Sequence, residues 1–255
     1  MRVHKSAVSI LASLALLTVV APQAQAAVPK IPITCGMVVQ QDAVLYLKKN
    51  LHCPDFGIRV VEEPGVPGPG PHVVVDLRGH TLSGSGTATG IAANNAGGSD
   101  FITVINGRLR NWDTAISGDW DTRTRRVSLV GNRVGFFCSG TCVVDRTAFR
   151  NNTGTGLFVG GEASATVTRS RFRNNAVGAS VLYPWSLSVD RSTFVKNVVG
   201  LLDGGSQVPV SRSLFVKNQT AILVDDSDGL GACVDLHKVV FVKNGISVDG
   251  PICAP

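Results

Sequence analysis

The chain has 255 residues, a formal net charge of +6, 44% hydrophobic and 16% charged residues, and six cysteines. Arg2 and Lys5 belong to an N-terminal leader described below, so the rest of the chain is only mildly basic and lacks the concentrated charge of a nucleic-acid binder. The size allows one large domain or two small ones, and no apolar run reaches the ~20 residues that a membrane span needs.

From the N-terminus, Arg2 and Lys5 precede an apolar run from Ala7 to Val20 and then Ala24-Gln25-Ala26. That is the pattern of a secretory signal peptide over residues 1–26, which predicts an exported, non-membrane chain from about Ala27, expected to be a monomer. An even set of cysteines in an exported chain reads as disulfides: Cys35, Cys53, Cys138, Cys142, Cys233 and Cys253. Proximity suggests Cys35 with Cys53, Cys138 with Cys142, and Cys233 with Cys253. The other connectivities remain open, and a zinc site lacks the two close CxxC pairs it would need. Residues 27–72 read as an N-terminal cap, Thr34 to Val61, followed by a Pro/Gly-rich surface loop from Glu62 to His72.

Residues 73–255 carry a motif that recurs every 20 to 27 residues, clearest as FVKN at Phe194, Phe215 and Phe241. A repeat that short is one supersecondary unit, which buries its apolar face only by stacking on its neighbours. The large apolar anchor falls at Leu82, Leu109, Leu129, Phe149, Phe172, Phe194, Phe215 and Phe241. Asn132, Asn152, Asn175, Asn197, Asn218 and Asn244 follow three positions later, with Asn111 two positions after Leu109. Asn tolerates left-handed backbone and stacks its amide on identical neighbours. Gly or Ala followed by an apolar residue makes a second register, from Gly90-Ile91 to Gly245-Ile246, in which Gly is expected to supply a turn and the next residue to point inward. A third register lies five residues before the anchor, at Leu77, Val104, Val144, Val167, Val189, Val210 and Leu236. Only Thr124 breaks it, which suggests a shifted register there. Short Val-rich strands without helical periodicity give an all-β parallel β-helix of about eight rungs, with the two terminal cysteine pairs tying its ends.

These registers, and the segment from Thr34 to Ile91 in which TCG, LHC and VVVDLRGHTLSGSG lead to GI, are similar to right-handed parallel β-helix proteins of the pectate-lyase-like superfamily. The resemblance covers roughly Val73 to Val248 and implies a single right-handed solenoid and an acidic polysaccharide as partner. Lyases of that superfamily combine acidic calcium ligands with an Arg or Lys base, and its hydrolases use clustered Asp. The RxPxxR pattern of pectate lyases and the NTD, DD, GHG and RIK blocks of polygalacturonases are absent here, and Gly79-His80-Thr81 is a partial echo in which His80 reads as a turn residue.

Three positions before the anchor the chain is basic: Arg126, Arg146, Arg169, Arg191, Arg212 and Lys238. Stacked turns bring such residues about 4.8 Å apart, where like charges repel by roughly 1 kcal/mol per pair even in water. Two readings follow. The row is solvated and partly neutralised by Asp145 and Asp190, or it is a track for a linear anion, with Arg146, Arg169, Arg191, Arg212 and Lys238 binding carboxylates in two-point fashion. Trp120 and Trp185, the latter near Tyr183, lie in loops that would wall a groove beside that row, or else pack over strand edges. Asp119 and Asp121 are the candidate acid and base, and Asp225, Asp226 and Asp228 in VDDSDG are candidate ligands for calcium. Outward-facing Phe137, Phe158, Leu202 and Leu223 form a broken apolar stripe. The expected function is recognition of an acidic polysaccharide, with or without cleavage; the alternative is a non-catalytic structural or adhesive protein of the cell surface.

Overall fold

The computed structural model describes residues 27–62, 70–93, 101–119, 121–161, 163–182, 185–227, 229 and 231–253. Residues 1–26, read above as a leader, and most of the segment read as a Pro/Gly-rich loop lie outside them. Among the described residues there are strands and turns and no helix. A typical turn of chain contributes Thr141–Asp145, Ala148–Arg150 and Thr155–Val159, and the next contributes Ser164–Thr168, Arg171–Arg173 and Val177–Leu182. Like strands of successive turns pair in parallel and form three strips. The first and second strips merge into one 17-stranded sheet, because Phe101–Arg110 and Asp121–Val130 run through both, and the third strip is a 10-stranded sheet.

The result is an all-β parallel solenoid of about nine turns. The turn beyond the eight rungs comes from the segment read as a cap: Ala43–Tyr46 pairs with His72–Asp76, Leu51–His52 with Thr81–Ser83, and Ile58–Val60 with Thr89–Ala93. Leu51 takes the anchor register there, a position that its short strand concealed in the sequence.

The anchors form the spine of the core. Phe149, Phe172, Phe194 and Phe215 are fully buried and stack face to face with ring centroids 4.6 Å apart. Burying such a side chain contributes about 1.5–3 kcal/mol, and offset aromatic pairs add to that.

Two corners per turn bend the chain between strips, and each uses one residue with left-handed backbone. Arg126, Arg146, Arg169, Arg191, Arg212 and Lys238 have φ between 47° and 56° at the first corner, and Asn151, Asn174, Lys196, Lys217 and Lys243 have φ between 53° and 55° at the second. After most of these corners comes a small polar side chain that serves its neighbour; Val127 after Arg126 and Val239 after Lys238 are the exceptions. The backbone N–H of Asn152 donates to Asn175 Oδ1 at 3.0 Å, and Asn175 N–H to Asn197 Oδ1 at 3.0 Å. From Asn152 to Asn244 each ladder amide also donates to an anchor carbonyl one turn back, as Asn175 Nδ2 does to Phe149 at 3.2 Å. At the first corner Thr147 N–H donates to Ser170 Oγ, Ser170 N–H to Ser192 Oγ and Ser192 N–H to Ser213 Oγ, each at 3.1 Å.

Several expectations change in detail. The left-handed residue is the one before each ladder Asn, since the ladder amide has to face inward. Asn111 is such a corner residue (φ 56°), and Trp112 takes the ladder place, where its indole N–H donates to the Leu82 carbonyl at 3.2 Å as an amide would. From Gly90 to Ala221 the Gly register lies within strands and makes no turn: a Cβ on Gly178 would sit 2.3 Å from the Gly200 carbonyl oxygen, so close strand packing is what excludes a side chain. Val75 pairs with Val104 in place of Leu77, because the corner at Arg78 and Gly79 is longer. Thr124 is in register between Val104 and Val144, buried and hydrogen-bonded by Thr147 Oγ1 at 3.1 Å, so no shift occurs at Arg126. In the last turn Val248 pairs with Ile222, which leaves Ile246 turned outward and 47% exposed.

All three disulfides join the pairs that proximity suggested. Cys35–Cys53 ties the leading strands to the first full turn, and Cys233–Cys253 holds the tail so that Ile252 bridges to Val234. Cys138–Cys142 lies in mid-solenoid, closing the passage from the third strip to the first.

Asn175→Ala should cost about 3–5 kcal/mol in urea unfolding, because it strands the Asn152 N–H groups and the Phe149 carbonyl in the interior. Asn174→Ala, at the exposed corner one residue earlier, should cost only about 1 kcal/mol. Equal losses would mean that the buried ladder does not hold the turns together.

Candidate functional site

The corner row exists as the spacing predicted, and every member is exposed. Its charge balance comes from the residue just before each corner, which stacks in the order Asp145, Thr168, Asp190, Ser211, His237. The two carboxylates alternate with hydroxyls and so avoid each other. Asp145 Oδ1 accepts from Arg169 Nε at 2.9 Å, with Arg169 Nη2 at 2.7 Å, and from Thr168 Oγ1 at 3.1 Å. Asp190 Oδ1 accepts from Arg212 Nε at 2.6 Å and Ser211 Oγ at 2.7 Å, while Arg191 Nε lies 3.8 Å from Oδ2. The Arg212 and Ser211 hydrogen bonds hold the Asp190 carboxyl below the usual carboxylate range. Such exposed pairs contribute about 0–1 kcal/mol each. Arg146 and Lys238 make no ion pair among the described residues.

The strip that this row borders carries further arginines that the corner spacing did not point to. On each second-strip strand the anchor points inward and its two neighbours point out, which exposes Arg108, Arg110, Arg150, Arg171 and Arg173. Arg150 and Arg173 are direct cross-strand partners. None of the described strands of this strip carries an acidic residue. At its far border stand the second-corner lysines Lys196, Lys217 and Lys243. Asp113, which Arg133 holds with a two-point hydrogen bond at 2.5 and 2.9 Å, is the acid on that side. Alternation about each anchor was the available signal: RLR at Arg108–Arg110 and RFR at Arg171–Arg173 each place two guanidiniums on one face.

The other candidates are not gathered at this face. Trp185 is half-buried against the core, its carbonyl accepting from Ser206 Oγ at 2.7 Å, and it enters the first strip at the edge opposite Arg191, about 20 Å away along extended chain. Trp120, Tyr183 and Asp228 lie outside the described residues. Asp119 accepts from Ser139 Oγ at 2.9 Å, and Asp121 opens the strand Asp121–Val130. Asp225 Oδ1 accepts from Ser227 N–H, and Asp226 Oδ1 from the N–H groups of Gly231 and Ala232, so both carboxylates shape their loop. Among the described residues no group of three or more His, Cys, Asp or Glu side chains is placed to hold a metal ion. Phe137 and Phe158 do stack on the outside of the third strip, at 5.5 Å, but Ser180 separates them from Leu202 and Leu223.

A family model described as right-handed beta helix region matches residues 89–250, more than half of the chain. The chain belongs to the right-handed β-helix family. No curated protein and no solved structure matches it. Membership of that family fixes the hand of the solenoid and leaves the chemistry to the side chains displayed on it.

One buried acid of this β-helix escaped the sequence analysis. Asp203 occupies an inward register between Val181 and Val224 and is fully buried; Oδ1 accepts from Ser206 N–H at 2.8 Å, and Oδ2 has no partner. Burial, aided by nearby Asp226, pushes its carboxyl up to about 6. The folded protein therefore holds a proton on Asp203 between about pH 4 and 6 that the unfolded chain has released, and stability falls as pH rises through that window. Asp203→Asn should be more stable than the parent by about 2–3 kcal/mol at pH 7–8 and equal to it near pH 4, measured by thermal or urea unfolding across pH. A parent whose stability rises from pH 4 to 7 with no gain from the variant would contradict this account.

Proposed function

We propose that this is an exported β-helix protein, similar to pectate-lyase-like proteins, that binds an acidic polysaccharide along the basic face formed by the Arg150–Arg173 part of the second strip and its corner row. The observation that carries this reading is the cluster Arg150, Arg171 and Arg173, in which Arg150 and Arg173 are cross-strand partners, bordered by the stacked column Arg146, Arg169, Arg191 and Arg212. Like charges about 4.8 Å apart oppose folding, and a polymer with regularly repeated anions relieves that repulsion while matching the rise of the solenoid. Guanidinium forks suit carboxylates in particular. Export is supported by the leader-like N-terminus and by three disulfides, which persist in oxidising compartments. No helix among the described residues is long and apolar enough to cross a membrane.

Binding without cleavage is the form that the side chains favour, because the candidate acids Asp119, just before the first strip, and Asp121, at the start of its strand, stand away from the basic face. A rigid adhesive or structural role at the cell surface remains the second reading, favoured by the uninterrupted pairing of short strands through the solenoid.

Arg171→Ala with Arg173→Ala should weaken binding of a polyuronate roughly 10- to 100-fold and flatten its salt dependence. Asp145→Asn with Asp190→Asn should strengthen binding several-fold by releasing Arg169 and Arg212. Unchanged affinity in both double variants, measured by calorimetry at low salt, would sink the basic-face reading. Ultraviolet absorbance of the unsaturated ends that β-elimination creates, followed with and without calcium, would reveal a lyase; the expected trace is flat.

A further inference from the structure

We propose that the N-terminal end of the second strip is a separate binding site for a tetrahedral oxyanion ester, a sulfate or phosphate monoester. Asn50, Leu51, His52, Thr81, Ser83, Arg108 and Arg110 line a surface concavity of about 340 Å³ there. Leu51, Leu82 and Leu109 are partners in register, with Leu82 and Leu109 fully buried, so the residues on either side of each leucine face outward. They form two rows of three on adjacent strands, about 4.8 Å apart between strands and about 7 Å apart along them. No carboxylate lies among them.

The hydrogen bonds already made define what is left for a ligand. Asn50 Oδ1 accepts from Thr81 N–H at 2.8 Å, which leaves the Asn50 amide N–H groups free to donate. Ser83 Oγ donates its single proton to the Leu51 carbonyl at 3.2 Å, so the 3.3 Å contact with His52 Nδ1 is made with the imidazole as donor. A serine whose proton is committed to a carbonyl is not primed as a nucleophile by that histidine. The pair fixes the imidazole at the rim of a binding pocket. Two guanidiniums, the Thr81 hydroxyl and the Asn50 amide offer more donors than the two oxygens of a carboxylate can accept, and they fit the three terminal oxygens of a sulfate or phosphate monoester. Val130 stands between Arg110 and Arg150 in the cross-strand register, which separates this pocket from the Arg150–Arg173 row.

The site does not depend on the polymer-binding reading and can be tested with simple anions. Calorimetric titration of the mature chain with inorganic sulfate and with inorganic phosphate should show saturable binding, at least about tenfold tighter than acetate. Arg108→Ala with Arg110→Ala should abolish it or weaken it at least about tenfold, Thr81→Val should weaken it a few-fold, and Arg110→Lys, which keeps the charge and loses the fork, should fall between. Arg171→Ala with Arg173→Ala should leave it within about twofold. No saturable binding, acetate equal to sulfate, or equal weakening by the two arginine pairs would each overturn the assignment. The sulfate and phosphate monoesters of one sugar, titrated side by side, identify by the tighter isotherm which ester the pocket takes, and binding of neither rejects both. Polyuronate affinity measured on the same variants separates the two sites: its loss in Arg171→Ala with Arg173→Ala alone, alongside intact sulfate binding, leaves both standing.

Discussion

The fold depends on how its corners dispose of the backbone N–H that a left-handed residue turns out of the strand ladder. At the corners of the middle turns the following N–H is aimed at the next turn of the solenoid, where an Asn Oδ1 or a Ser Oγ receives it. A buried N–H without such a partner costs about 1–3 kcal/mol, so each turn is completed only by its successor. That reciprocal need is why the repeat is held so strictly at the Asn and Ser positions and so loosely in the loops, and why the stability of such a chain resides in nearest-neighbour contacts.

The same geometry creates the electrostatic problem that the surface answers. Identical positions lie one strand spacing apart, so an arginine favoured at a corner becomes a column of arginines. Asp145 and Asp190, two turns apart with Thr168 between them, offset part of that column without repelling each other. The second strip has no such offset, and the chain's mild net charge conceals a strongly one-sided distribution. The field that a surface presents to any charged partner follows from the distribution and not from the total.

Deviations from the repeat mark where the solenoid is modified. Trp112 ends the Asn ladder by substituting an indole donor for an amide, and Gly84 leaves it room, since a Cβ there would lie 2.3 Å from the indole ring. Asp203 replaces an apolar inward residue, while Leu51, His52 and Asn50 show that the entry segment is built on the same plan as the turns that follow. Each of these positions is visible only once the register is known, because short strands with variable loops hide alignment at the ends of the array.

The sequence by itself determined the architecture: the recurrent anchor, the Asn three positions on and the apolar residue five positions before specify a parallel solenoid, because a period near 22 residues cannot bury its apolar face except by stacking. It also determined the corner row of basic residues and suggested, by proximity, the three cysteine pairs that the fold then closed. Only the tertiary structure decided which neighbours those residues meet. The pairing of Asp145 with Arg169 and Asp190 with Arg212 runs between turns, the exposure of Arg150 beside Arg173 depends on the direction of each short strand, and the clustering of Asn50, Thr81 and Arg108 joins residues more than fifty positions apart. These are side-by-side contacts across strands, and a sequence orders residues along the chain alone.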